Sequence, residues 1–158
     1  MSTSTIKWKL YRKGATISRE AFTTGHRCGE PIYVARVLHR GCLLPGYAKD
    51  GVGFFVYKGE VVTKEEEFKI LHGDFVWVSA ASFIEEDLPP PALRAGRTFM
   101  GVRTFVGMAL VDGLELCGQV IGGACHIAVD ETEVVSMKDF SYLLDYDGSN
   151  NNECSDSN

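Results

Sequence analysis

Several patterns that would point to a membrane, a secreted or a nucleic-acid-binding protein are missing from this chain. No segment carries an apolar stripe at helical spacing bounded by helix caps, which argues against a helical fold. No apolar run approaches the roughly 20 residues that a membrane-spanning helix needs. The stretch Met1 to Lys7 holds no apolar segment of the kind a secretory signal uses. The five cysteines (Cys28, Cys42, Cys117, Cys125 and Cys154) are odd in number and include no Cys-x-x-Cys pair. Disulfide-stapled secreted domains carry denser sets. Reduced thiols in a cytoplasmic protein are the expectation, with export by a route that needs no signal left open. Basic charge is also short: Lys and Arg total 16 against 21 Asp and Glu, a formal net charge of -5. An acidic chain is repelled by phosphate backbones and anionic lipid, so neither nucleic-acid binding nor membrane insertion is expected. The one basic cluster, Lys7, Lys9, Arg12 and Lys13, surrounds Trp8 and Leu10 as the wet face of an edge strand would.

What the chain does have is an internal duplication. Trp8 opens a segment that ends at Gly25, and Trp77 opens one that ends at Gly96. Each leads into an apolar run, Ile32 to Leu38 and Thr104 to Leu110, then into Gly41-Cys42-Leu43-Leu44-Pro45-Gly46 and Gly113-Leu114-Glu115-Leu116-Cys117-Gly118. Further on, Glu60-Val61-Val62 answers Glu133-Val134-Val135, and Phe68 answers Phe140. The offset stays between 69 (Trp8 to Trp77) and 72 (Gly46 to Gly118). A constant spacing across many landmarks is the mark of a repeat.

The repeats read as strands. Cys125, Ile127 and Val129 alternate with His126, Ala128 and Asp130, the period of a half-buried strand. Val52 to Tyr57 and Phe75 to Val78 are short runs rich in aromatic and β-branched residues. Turns are expected at Gly29, Gly41, Pro45-Gly46, Gly59, Gly73, Gly113, Gly118 and Gly122-Gly123. Thr63 to Leu71 is the one stretch compatible with a helical turn or two. The fold class is therefore all-β: two tandem degenerate repeats, about 8–76 and 77–147, forming one pseudo-two-fold antiparallel β-sheet or sandwich domain over 1–147. A half of about 70 residues buries too little to stand alone, so the halves are expected to pack together. The triple proline within Glu85 to Pro91 reads as an extended connection, and 148–158 as a disordered polar tail carrying Cys154.

Catalytic and metal constellations are absent from this reading. His26, Cys28, His39 and Cys42 invite zinc, but His-x-Cys is not a common zinc spacing. The second copy holds Arg97, Phe99, Val111 and Leu114 there. Cys125 and His126 are neighbours on a strand and point to opposite faces, so neither activates the other. Asp50-Gly51-Val52-Gly53 and Gly122-Gly123 are too short for a phosphate cradle and precede no helix. No catalytic residue, metal or cofactor is expected. Candidate ligand contacts fall instead in the bends beside the long strands: His26, Arg27, Glu30, Tyr47 and Lys49 in the first copy, Arg97, Thr98 and Gln119 in the second. Charged groups that bond hydroxyls beside an aromatic face suit a sugar.

Gly29-Glu30-Pro31-Ile32-Tyr33-Val34-Ala35-Arg36, then His39-x-Gly41-x-Leu43-Leu44-Pro45-Gly46, then Tyr57-Lys58-Gly59-Glu60, Glu67-Phe68-Lys69-Ile70-Leu71 and Trp77-Val78 resemble the DM-nine repeat, which also occurs in natterin-like proteins. The match covers roughly Trp8 to Tyr146. The resemblance implies a two-repeat β fold and a lectin-like, pattern-recognition role. A family member binds mannose and high-mannose glycans as a dimer, so a glycan or a protein is the implied partner and a homodimer the implied assembly. There the sugar is held by an Asp in the bend before the long strand and by a Lys after Pro-Gly. Here those positions fall at Arg27 and Tyr47, and near Thr98 and Gln119 in the second copy. Neither copy keeps the Asp–Lys pair, which implies altered sugar specificity or none. The alternative role is a protein-interaction module.

Overall fold

The computed structural model describes residues 7–24, 30–82, 94–97 and 103–145, with the backbone alone at 7, 82, 94–97, 103 and 145. The expected connection at Glu85 to Pro91 and the polar tail lie outside the described residues, as do His26, Arg27, Cys28 and Thr98. No α-helix occurs among the described residues, and so none long and apolar enough to cross a membrane.

Among the described residues thirteen strands form two antiparallel sheets. The first sheet holds β1 (Lys7–Tyr11), β2 (Tyr33–His39), β3 (Cys42–Lys49), β4 (Val52–Tyr57), β5 (Glu60–Lys64) and β6 (Phe68–His72). The second holds β7 (Phe75–Ser79), β8 (Arg94–Arg97), β9 (Arg103–Val111), β10 (Leu114–Ile121), β11 (Ala124–Ala128), β12 (Val134–Met137) and β13 (Ser141–Asp145). The spatial orders are β1-β6-β2-β3-β4-β5 and β7-β13-β9-β10-β11-β12, with β8 also on β9. Strand for strand these are one topology used twice. The register repeats too: Trp8 lies opposite Leu71 and Trp77 opposite Leu143, while Val34 faces Tyr47 and Val106 faces Gln119.

Local chemistry fixes the hairpins. The turns Arg40-Gly41, Asp50-Gly51, Lys58-Gly59 and Asp112-Gly113 place both residues at positive φ, between 51° and 84°. That is the tight turn whose twist matches the flanking strands, and glycine at its second position relieves most of the strain. Thr63 to Leu71 is not helical. It is the end of β5, a bend at Glu65–Glu67 with Glu67 at φ 69°, and β6. The alternation of buried Phe68 and Ile70 with exposed Lys69 suits a strand held between β1 and β2.

One apolar cluster belongs to the first sheet alone and gathers Tyr11, Val37, Leu44, Phe55, Phe68 and Ile70. A larger one joins Ile32, Val34, Tyr47 and Leu71 of the first sheet to Val106, Leu116, Val120, Ile127 and Leu143 of the second. The sheets meet along β3 and β10, with β4 against β11. A strap before β2 adds to the junction: Phe22 packs on Phe75 and Trp77, at 5.3 and 5.9 Å between ring centroids. Thr24 Oγ1 donates to the Glu115 carbonyl at 2.8 Å.

Candidate functional site

The site begins with a departure from the expected turns. Pro45-Gly46 and Gly118 are not turns but lie inside β3 and β10. Neighbouring strands approach so closely there that a Cβ on Gly46 would overlap the Phe54 carbonyl oxygen, and one on Gly118 that of His126. Beyond this point the strand pairs part. β3 and β4 are in register only from Tyr47–Phe54 to Lys49–Val52, and β10 and β11 only from Gln119–His126 to Ile121–Ala124. Pro45 sits where β3 has already lost its β4 partner, so its missing N–H leaves no ladder bond unmade on that side.

Tyr47 and Gln119 follow these glycines, and both point inward, with 2% and 6% of their surface exposed. The Tyr47 hydroxyl donates to the Ala128 carbonyl at 2.5 Å and lies 3.3 Å from that of Val129. Gln119 Nε2 donates to the Val56 carbonyl at 3.1 Å. A shift of 72 residues turns Tyr47 into Gln119 and Val56 into Ala128, so each repeat sends one side chain into the same place on the other. These two candidates therefore serve the seam between the sheets and are not displayed on surface loops. Burial above all, then the nearby Cys117 and Asp130, pushes the Tyr47 hydroxyl well above the ordinary tyrosine range.

Two clefts open where the strands part, one in each repeat, and each is closed by the other repeat. The first has a volume of about 430 Å³. Leu114 and Leu116 form one wall, the turn Val129–Thr132 another, and Lys49 and Phe54 come from the partner repeat. Phe54 stacks on Tyr47 at 5.0 Å, so Tyr47 props the aromatic floor from beneath. Asp130 Oδ1 accepts from the Thr132 N–H at 2.8 Å, the Thr132 hydroxyl at 3.1 Å and the Glu133 N–H at 3.0 Å. Those donors hold its carboxyl below the usual range, so it is anionic at neutral pH. The neighbouring Asp50 carboxyl raises the pKa of Glu30, while Lys49 opposes the rise.

Of the candidates, Lys49 lines this cleft, and Glu30, near Asp50 and Lys49, is not among its lining residues. Tyr47 lies behind it. Gln119 lines the second cleft, of about 230 Å³, with Leu44, Val56, Ile121, His126 and Val134. Arg97 is described only by its backbone, at the end of β8 opposite Arg103. Phe54, Asp130 and Thr132 escaped the sequence reading. For the last two the signal was the motif Asp130-Glu131-Thr132-Glu133, visible only when the 72-residue shift lays it on the hairpin turn at Lys58-Gly59.

Cys125 is fully buried and its burial pushes the thiol up to about 12, whereas His126 Nδ1 lies 2.8 Å from Ser136 Oγ. The pair thus points apart. Among the described residues no group of three His, Cys, Asp or Glu side chains is placed to hold a metal ion.

The fold is similar to that in the crystal structure of the nematode sperm cell motility protein MFP2B, with a TM-score of 0.66 at 12% identity. The similarity covers 89% of this chain and 44% of that one, so the chain spans less than half the length of that protein. No curated protein matches the chain by sequence. The DM9 repeat model matches residues 25–136, which include β2–β11, both glycine approaches and all of both clefts. The chain belongs to the DM9 repeat family.

Proposed function

We propose that this chain is a non-catalytic carbohydrate-binding module acting in pattern recognition, and that its sugar site is the larger cleft. The observation that carries the reading is the pairing of Lys49 from one repeat with Asp130 and Thr132 from the other, above Phe54. An ammonium donates to sugar hydroxyls, a carboxylate accepts from them, and a ring face packs against the sugar's C–H groups. The volume falls within the range of small-molecule sites, about 300–1,000 Å³. The specificity differs from that implied for mannose binders of the family, because the Tyr47 hydroxyl, in place of an ammonium, is engaged at Ala128. A glycan array followed by calorimetric titration with mannose and with the best array hits tests this. Saturable binding lost in Lys49→Ala supports it; flat responses to every sugar remove it.

A second reading, a protein-interaction module, has its own support. Leu38 and Leu110 are 66% and 57% exposed and occupy matching positions in β2 and β9. Exposed leucines at matching places give each repeat the same apolar contact point, for a protein partner or for a second copy of the chain. Light scattering on the wild type and on Leu38→Ser/Leu110→Ser reads the assembly directly.

A further inference from the structure

The smaller cleft has the same origin as the larger one but the opposite charge. Shifted by 72 residues, Asp130 becomes Lys58, Lys49 becomes Ile121 and Phe54 becomes His126. Asp130 and Glu131 line the larger cleft. Among the described residues that line the smaller one none is acidic. Glu60, opposite Tyr57 in the ladder, is exposed and lies outside the lining. The smaller cleft is also layered. Its floor is apolar: Cys42, Leu44 and Val56 are at most 4% exposed. Gln119, also buried, is engaged across the seam. The rim is polar. Lys58 is exposed at the tip of the β4–β5 hairpin, where Lys58 and Gly59 hold φ of 51° and 81°. Its Nζ lies 5.4 Å from the centroid of the Tyr57 ring, another lining residue. His126 comes from the other repeat, half-buried, with Nδ1 2.8 Å from Ser136 Oγ.

We propose that this cleft is a second binding site, for a small amphipathic anion: a short apolar body that carries one carboxylate. The body leaves water for the floor at Leu44 and Val56 and for the flanks at Ile121 and Val134, which is favourable in proportion to the apolar area removed. The carboxylate stays at the rim, beside the Lys58 ammonium, and so keeps most of its hydration. Both parts are needed. An anion without a body meets one exposed ammonium, an attraction that water and salt screen. A cation with the same body meets Lys58 as a like charge. A sugar finds too few bonding groups on the floor for its several hydroxyls. An apolar cavity of about 150 Å³ accommodates benzene; this one, at about 230 Å³, has room for a chain of about six carbons. The site does not depend on the sugar reading, since it uses different residues and a different ligand.

The test uses the full chain with labelled methyl groups and three probes of similar length: hexanoate, its neutral isostere hexanamide, and hexylammonium. The expected result at low salt is saturable shifts of the Leu44, Val56, Ile121 and Val134 methyls with hexanoate. Binding should be at least threefold weaker for hexanamide and weakest for hexylammonium. Lys58→Asn should bring hexanoate down to the level of hexanamide; asparagine tolerates the left-handed conformation of that turn position, so the hairpin is kept. Ile121→Trp, which fills the cleft and leaves Lys58 in place, should abolish hexanoate binding. The proposal is overturned by no saturable shift at millimolar hexanoate, by equal affinity of wild type for hexanoate and hexanamide, by an unchanged ratio in Lys58→Asn, or by undiminished binding in Ile121→Trp. If Ile121→Trp does not fold, the wild-type ratio and Lys58→Asn decide between these outcomes.

Discussion

The two repeats agree at their seam and differ in their clefts. At the seam, glycine stands at 46 and 118, and the next side chain crosses to a carbonyl of the other sheet. The chemistry of the crossing is free to vary, hydroxyl in one copy and amide in the other, so long as a donor reaches the carbonyl. In the clefts even the charge differs, with Lys49 and Asp130 around one and Ile121 and Lys58 around the other. After a duplication, the groups that hold the halves together are constrained by both copies at once. The residues that line the clefts stand outside that shared constraint, which leaves the two clefts free to diverge.

The glycines give the largest expected effect and the most direct way to break the seam. Gly46→Ala and Gly118→Ala each drive a Cβ into a backbone carbonyl that cannot move without parting its strands. Overpacking of this kind costs about 1–3 kcal/mol, and backbone contacts fall at the upper end. Urea melts should show both variants destabilised by about 3 kcal/mol or unfolded. A loss below about 1 kcal/mol at either position would mean that the strand approach there is loose.

Next come the crossing side chains. Tyr47→Phe keeps the ring on Phe54 but leaves the Ala128 carbonyl without its donor, at a cost of about 1–3 kcal/mol. Gln119→Leu removes a donor and an unpaired acceptor together, so its net cost should be smaller, about 1 kcal/mol. Equal losses would show the two crossings to be equivalent despite the orphaned oxygen. Tyr47→Phe should leave sugar affinity nearly unchanged, since the hydroxyl faces away from the cleft, whereas Lys49→Ala should lower it about tenfold by removing a charge-assisted bond.

The alkaline limb of stability separates the repeats in another way. The neutral Tyr47 hydroxyl is favoured in the folded state, with its pKa above the ordinary 10.0, and the Cys125 thiol is raised from 9.0 to about 12. Groups raised on folding contribute stability that is fully present below their unfolded pKa and disappears as pH rises through the folded one. Stability should therefore be level with respect to these groups below about pH 9 and fall above it. Cys125→Ala should lessen the part of the fall that begins near pH 9, which the buried Cys117 thiol shares, and Tyr47→Phe the part that begins near pH 10, which Tyr33 and Tyr142 share. Thermal melts from pH 7 to 11 on both variants measure it; an unchanged slope in either excludes that group.

Much of the fold could be read from the chain, because strand period, x-Gly turns and the repeat offset are local or depend only on spacing. Pro45-Gly46 misled for a physical reason. The pair is turn chemistry in most settings, and only the approach of the Phe54 carbonyl explains a glycine in mid-strand. Once Pro45-Gly46 is taken for a turn, Tyr47 and Gln119 look like displayed residues. Lys49 was within reach as a polar residue closing a long strand. Asp130 and Thr132 were not, because they become site residues only when one repeat is laid across the other, and nothing in a single copy records that packing.

The smallest expected effect concerns a contact without a counterpart in the other repeat. Lys13 Nζ lies 2.9 Å from Glu65 Oε1, joining the turn after β1 to the bend between β5 and β6. Shifted by 72 residues, Glu65 becomes Met137, so the second repeat holds no such pair. The hydrogen bond to Lys13 lowers the Glu65 pKa, so any contribution is present above the unfolded value and lost as pH falls. Both side chains are about two-thirds exposed, and water and salt screen such pairs almost completely. Lys13→Ala should therefore leave the melting temperature within error of wild type at neutral pH. A clear drop, abolished by high salt, would show that the first repeat relies on a surface charge that the second has dispensed with.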